Sequence, residues 1–216
     1  MFPCLRYRAR LGSWFIALLA SVAVIAEEQA TPEASCLCLW QGGFAEVQAD
    51  ADLVAAVTIT LSKGNSVDVS VDQILRGTEY NESVRLWLRA RDYCRPEAEE
   101  FPVGSRWVMA LQRINDQVPG GFNPDTPNIS YGRIGDYALS SCGGYWLALS
   151  DNRVTGNLID APRWERDPKM SPVLLELLVS YVRGDVTRDA LREARREDPA
   201  LRELMLDTKE FLRETR

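Results

Sequence analysis

Short apolar runs recur along the chain, alternating with polar positions or stopping at turn residues. From Leu53 to Leu61 the order is Leu-Val-Ala-Ala-Val-Thr-Ile-Thr-Leu, rich in β-branched residues and followed by Lys63-Gly64-Asn65, which predicts a strand and a hairpin turn. Val67, Val69 and Val71 then alternate with Asp68, Ser70 and Asp72, so a second strand has one apolar face, and Ile74 and Leu75 carry it to Arg76-Gly77. In a third, Val84, Leu86 and Leu88 alternate with Arg85, Trp87 and Arg89, which puts an aromatic ring on the outer face. Arg106 to Gln112 reads as a fourth. Two shorter candidates, Tyr145 to Leu149 and Val154 to Leu158, flank the turn Ser150-Asp151-Asn152. Five or six short antiparallel strands at this spacing define a small barrel or sandwich.

Two stretches break the pattern. Between Ile114 and Gly144 the chain is rich in Gly, Pro, Asn and Asp, including Val118-Pro-Gly-Gly-Phe122-Asn123-Pro124, with no sustained periodicity. A loop of this length in a compact domain is usually functional when ordered, and a cysteine at 142 tethers its end. After about residue 160 the period changes to that of helices. Ser171-Pro172 reads as an N-cap with proline at the first helical position, before an apolar face of Val173, Leu174, Leu177, Leu178, Tyr181 and Val182 that stops at Gly184. Thr187 caps a second helix to Glu197, and Asp198-Pro199 opens a third with Leu201, Leu204, Met205, Phe211 and Leu212 on one stripe. These apolar faces are expected to pack on the barrel or on one another.

Composition narrows the chemistry. The 216 residues are 46% hydrophobic and 26% charged, enough apolar material for a packed core. There is no histidine, which excludes Ser-His-Asp and Cys-His hydrolases and His-ligated zinc enzymes. A net charge of −6 disfavours nucleic acid, whose phosphates are bound by excess Lys and Arg.

The N-terminus has the layout of a signal peptide: Arg6, Arg8 and Arg10 without an acid, an apolar run from Trp14 to Ala26, and small residues at its end. Cleavage is expected near Ala26, giving a secreted, periplasmic or extracellular protein that is not membrane-embedded. Removing Cys4 and three arginines leaves four cysteines and moves the net charge from −6 to −9. Residues 161–216 hold twelve basic and twelve acidic side chains, so the excess acid lies before them. An even cysteine count in an exported chain points to disulfides, and Cys36, Cys38, Cys94 and Cys142 allow three pairings. Cys36 and Cys38 are too close to pair comfortably with each other. Neither the Cys-x-Cys spacing nor the missing histidine suits a metal site, so no metal or cofactor is expected.

Cys36-Leu37-Cys38, Phe44, Ala51-Asp52-Leu53-Val54, Ile74-Leu75-Arg76-Gly77, Cys94, Phe101, Gly104, Trp107 and Cys142 follow one another in an order that resembles the module of tissue inhibitors of metalloproteinases (TIMP) and netrin (NTR) C-terminal domains, across roughly residues 36–150. The resemblance implies a five-stranded OB-type barrel, and with the strand and helix patterns above the expected fold is mainly β, a five- to six-stranded OB-like (TIMP/NTR) barrel with a C-terminal α-helical extension. It also implies bridges Cys36 to Cys94 and Cys38 to Cys142. The domain reading is then 1–26 signal peptide, 27–35 short N-terminal segment, 36–160 barrel domain and 161–216 helical extension.

The function expected on this basis is a non-catalytic, disulfide-stabilised protein-binding module. Its partner-binding residues are Cys36, Leu37 and Cys38 with Phe122 and Asn123 of the long loop, and its partner is a protein, with a metalloprotease as one form of it. Inhibitors of this family chelate the protease zinc through the free amine and carbonyl of an N-terminal cysteine. Here nine residues, Glu27 to Ser35, precede Cys36 in the processed chain, so that alternative requires a second cleavage after Ser35. A carboxylate-based hydrolase using Glu97, Glu99, Glu100, Asp116, Asp125 or Asp136 is the remaining reading, against which stands an ordinary solvated acidic surface.

Overall fold

The computed structural model describes residues 37–89, 93–116, 118, 131–160 and 172–195. Their architecture is mainly β: a closed five-stranded OB-like barrel with additional strands and short helices on its C-terminal side. The barrel strands are β1 (Leu53–Lys63), β2 (Ser66–Gly77), β3 (Ser83–Trp87), β4 (Arg106–Arg113) and β5 (Tyr137–Ala138). β1 pairs antiparallel with β2 on one edge and β4 on the other, β2 with β3, and β4 with β5. The ring closes where β3 and β5 run parallel, at Leu86 to Tyr137 and Trp87 to Ala138. Closure at these two residue pairs leaves less free edge than an open sheet of this size would expose.

The long β1–β2 pair makes this curvature possible. Register shifts fall between Val54 and Ala55, Ala56 and Val57, and Ile59 and Leu61, and each adds local bend and twist. The Leu53–Val57 run is buried at every position, which explains why it reads as continuous apolar sequence and not as alternation. β2 does alternate, with Val67 and Val69 buried and Asp68 and Ser70 half-exposed. It ends at Gly77, which has φ +90°, and a Cβ there would sit 2.3 Å from the Asp52 carbonyl oxygen. Only glycine meets both conditions.

A further ribbon continues from β4 through β6 (Trp146–Ser150), β7 (Arg153–Thr155) and β8 (Val173–Leu174). Asp151 and Asn152 both take positive φ in the β6–β7 turn, the conformation a two-residue hairpin needs. Phe101 fills the space beneath this ribbon, edge-on to Trp107 at 5.1 Å and Trp146 at 5.8 Å. Short helix α1 (Phe44–Val47) precedes the barrel, while α2 (Leu175–Arg183) and α3 (Arg188–Arg195) follow it. Leu175, Leu178, Val179, Val182 and Leu191 join the same core cluster as the barrel residues. Tyr181 donates to the Ala45 carbonyl at 3.1 Å, and Arg188 and Arg192 both bind Asp160 at 2.7 Å, which ties the helices to α1 and the end of the ribbon.

Several sequence expectations need correcting. The stretch Ile114–Gly144 reads as loop, yet it contains β5, whose two residues close the barrel. A strand that short has no period to detect. Trp87, expected on the outer face, is only 4% exposed, because its indole N–H is held by Asp136 at 2.7 Å and Arg85 and Arg133 lie over the ring. The helix expected to start at Pro172 begins at Leu175, since Val173 and Leu174 instead pair with β7 and Leu175 N–H bonds the Asn152 carbonyl at 2.9 Å. The last two strands occupy Trp146–Ser150 and Arg153–Thr155, while Leu158 is buried beyond the second. Gly184 does end α2, in the left-handed conformation, and Thr187 Oγ1 does cap α3 by accepting from Ala190 N–H at 3.4 Å. The signal-peptide region, Ser171 and the third helix at 198–216 lie outside the described residues. Among the described residues, no helix is long and apolar enough to cross a membrane.

Candidate functional site

The segment from Leu37 to Ala45 runs from exposed residues at its start to buried Phe44 and Ala45 and is held at several points. Cys38 is bridged to Cys142, with 5.8 Å between the Cα atoms and 104 residues of sequence between them. Gln41 N–H donates to the Cys142 carbonyl at 2.8 Å and Gly144 N–H to the Gly42 carbonyl at 2.9 Å, which holds the two segments side by side. The Tyr145 hydroxyl donates to the Gln41 side-chain oxygen. Burial, then the negative charge of Asp50, raises the pKa of that phenol, so it stays a donor. Phe44 and Ala45 N–H groups complete the seam on the Asn157 and Leu158 carbonyls, at 2.7 and 2.8 Å. Gly144 permits this close approach, since a Cβ there would lie 2.5 Å from the Asn157 oxygen.

A segment held this way alternates as a strand does. Cys38 and Trp40 turn inward, while Leu37 and Leu39 point out and are 89% and 90% exposed. Two nearly fully exposed leucines, separated by one residue on a cross-linked backbone, form the ridge. Sequence reading placed Leu37 and Cys38 in the binding surface and missed Leu39, Gln41 and Tyr145. The Leu-Cys-Leu alternation carried the signal for Leu39; nothing local marked the partners of Gln41.

The bridge between Cys38 and Cys142 is the one the resemblance implies. Cys94 is also disulfide-bonded, and its partner lies outside the described residues, as do Cys36, Phe122 and Asn123 of the expected site. The sulfurs of Cys38, Cys94 and Cys142 lie within 4.8 Å of one another. Sulfurs committed to disulfides offer no thiolate, so this cluster is a covalent knot and not a set of ligands. Ser141 N–H donates to the Cys94 carbonyl at 2.9 Å and draws the two bridges together. Next to Cys94, Arg95 stacks over Tyr93 at 4.7 Å and donates to the Tyr131 carbonyl at 2.5 Å. Burial lowers the Arg95 pKa, although the side chain keeps its charge at any physiological pH.

The candidate carboxylates do not converge. Glu97 pairs with Arg89 at 2.5 Å, Asp136 accepts from Trp87, Glu99 and Glu100 lie exposed in a 3-10 turn, and Asp125 lies outside the described residues. Asp116 is exposed at the end of the β4 segment. Compared with protein-family models, with curated proteins and with solved structures, the chain matches none. Its class is therefore drawn from the fold and the site: an OB-like barrel with a disulfide-pinned, leucine-bearing N-terminal ridge.

Proposed function

We propose that the chain is an exported, disulfide-stabilised protein-binding module of TIMP/NTR type, without catalytic activity, whose contact surface is the ridge of Leu37, Cys38 and Leu39. The observation that carries this reading is the near-complete exposure of both leucines on either side of a bridged cysteine. A backbone already fixed by a disulfide and main-chain bonds loses little entropy on docking, so more of the burial energy is available for affinity. Burying each leucine in a partner pocket contributes ~1.5–3 kcal/mol.

The test uses the oxidised full chain as bait in its own export medium, beside the double variant Leu37→Asp, Leu39→Asp. Both should melt at the same temperature, because neither side chain is part of the core. The variant should lose the partner that the parent retains, and equal capture by both would remove the ridge from the interface. N-terminal sequencing of exported protein tests processing independently. A start near Glu27 agrees with this reading, whereas a start at Cys36 would replace it with a zinc-chelating metalloendopeptidase inhibitor.

A further inference from the structure

The barrel seam is only half closed. β3 pairs with β2 from Ser83 to Trp87, but on its other side it meets β5 only at Leu86 and Trp87. Continuing that parallel register would bring Arg85, Val84 and Ser83 beside Asp136, Gly135 and Ile134. They do not pair, because this segment is turned onto the end of β4: Gly135 N–H donates to the Ile114 carbonyl at 2.9 Å and Ile114 N–H to the Asp136 carbonyl at 2.8 Å. A cleft of about 340 Å3 opens between the two, lined by Ser83, Val84, Arg85, Arg133, Ile134 and Asp136 among others.

The phase of the β2–β3 ladder sets what the cleft displays. Leu88 N–H donates to the Asn65 carbonyl and Val71 N–H to the Glu82 carbonyl. Counting along the ladder, Val84 and Leu86 bond to β2, and the main-chain groups of Ser83 and Arg85 turn the other way, toward the cleft. This is a strand edge about three residues, or ~10 Å, long. Arg85 is forked onto Asp68 at 2.6 and 2.9 Å, and Asp136 accepts the Trp87 N–H. Arg133 lies 5.9 Å from the Trp87 ring centre and makes no ion pair among the described residues. Beside it Ile134 is 66% exposed.

We propose that this open seam, lined by none of the ridge residues, docks an extended segment of a partner protein as an added strand on β3, with an acidic side chain of that segment received by Arg133. Main-chain donors and acceptors of the edge supply affinity, and Arg133 and Ile134 select the side chains.

The probe is a phage-displayed library of random linear peptides, selected on the oxidised full chain. Selected sequences should carry Asp or Glu, and Arg133→Glu should weaken them ~10-fold or more, the loss of about one charge-assisted contact. N-methylation of successive amides in a selected peptide should abolish binding at every second position only, the period of a strand edge. Because the protein is unchanged in that experiment, misfolding cannot mimic the result. Failure to enrich any peptide, or binding indifferent to both changes, would overturn the proposal. Self-association of the chain that Arg133→Glu dissolves, measured by sedimentation, would also overturn it by making a second copy the occupant.

Discussion

Glu79 offers the sharpest test of how the barrel is held shut. It lies between β2 and β3, its side chain is only 3% exposed, and its carboxylate takes five hydrogen bonds. One oxygen accepts from the Tyr137 hydroxyl at 2.6 Å and from Arg113 at 2.8 Å, and the other from the amides of Tyr80 and Asn81 and the Asn81 side chain. The group thus joins the β2–β3 loop to β4 and β5. Burial alone would raise its pKa, but the bonds from Tyr137, the Asn81 and Tyr80 amides and Arg113 outweigh it and hold the carboxyl at about 2, from 4.5. That difference corresponds to ~3 kcal/mol in favour of the charged form. Solvent reaching Arg113, one-third exposed, trims it to about 2 kcal/mol. Glu79→Gln should therefore cost about 2 kcal/mol at pH 7, measured by urea unfolding. The folded pKa is depressed, so the stabilisation is fully present above about 4.5 and is lost as pH falls toward 2. Parent and variant should accordingly converge in stability through that window. A difference that stays constant from pH 7 to pH 3, or no difference at pH 7, would refute the account.

Replacing Cys38 and Cys142 together by serine removes a link across 104 residues, which by chain entropy stabilises the fold by up to ~4.7 kcal/mol, and should lower the melting temperature accordingly. Alkylation of unreduced, denatured protein should leave Cys38, Cys94 and Cys142 unlabelled, as read by mass spectrometry. With limiting dithiol, the 4.8 Å spacing of their sulfurs predicts exchanged bridges, such as Cys94 with Cys142, in peptide maps. Gly77→Ala, which combines positive φ with a 2.3 Å clash, should destabilise by ~2–4 kcal/mol in a denaturant titration. Trp87→Phe leaves the Asp136 carboxylate without its indole donor and should cost ~1–2 kcal/mol, with Trp87→Phe/Asp136→Asn recovering part of the loss.

The strands that could be read from sequence are those long enough to show a period or a buried run. Val67 and Val69 alternate because β2 has one buried face; Leu53 to Val57 run together because β1 is buried on both. The turns at Gly64-Asn65 and Asp151-Asn152 and the stop at Gly184 were legible too, because positive φ restricts which residues can stand there. Tyr137 was not, since two residues carry no pattern, and its partners Glu79 and Arg113 are distant in sequence. The site was legible only through its cysteines and Leu37; the exposure of Leu39 depends on which way the bridged strand faces.

Local chemistry along the chain thus determined the mainly β character, the order of the long strands and the turns between them, because periodicity and backbone restriction act within a few residues. Tertiary structure alone decided where the barrel closes, that Trp87 is buried under arginines, that Val173 joins a strand, and that the seam beside Ser83 stays open. Each of these depends on partners tens of residues away, here Tyr137, Asp136, Val154 and Ile114, and a one-dimensional pattern does not record which distant groups will meet.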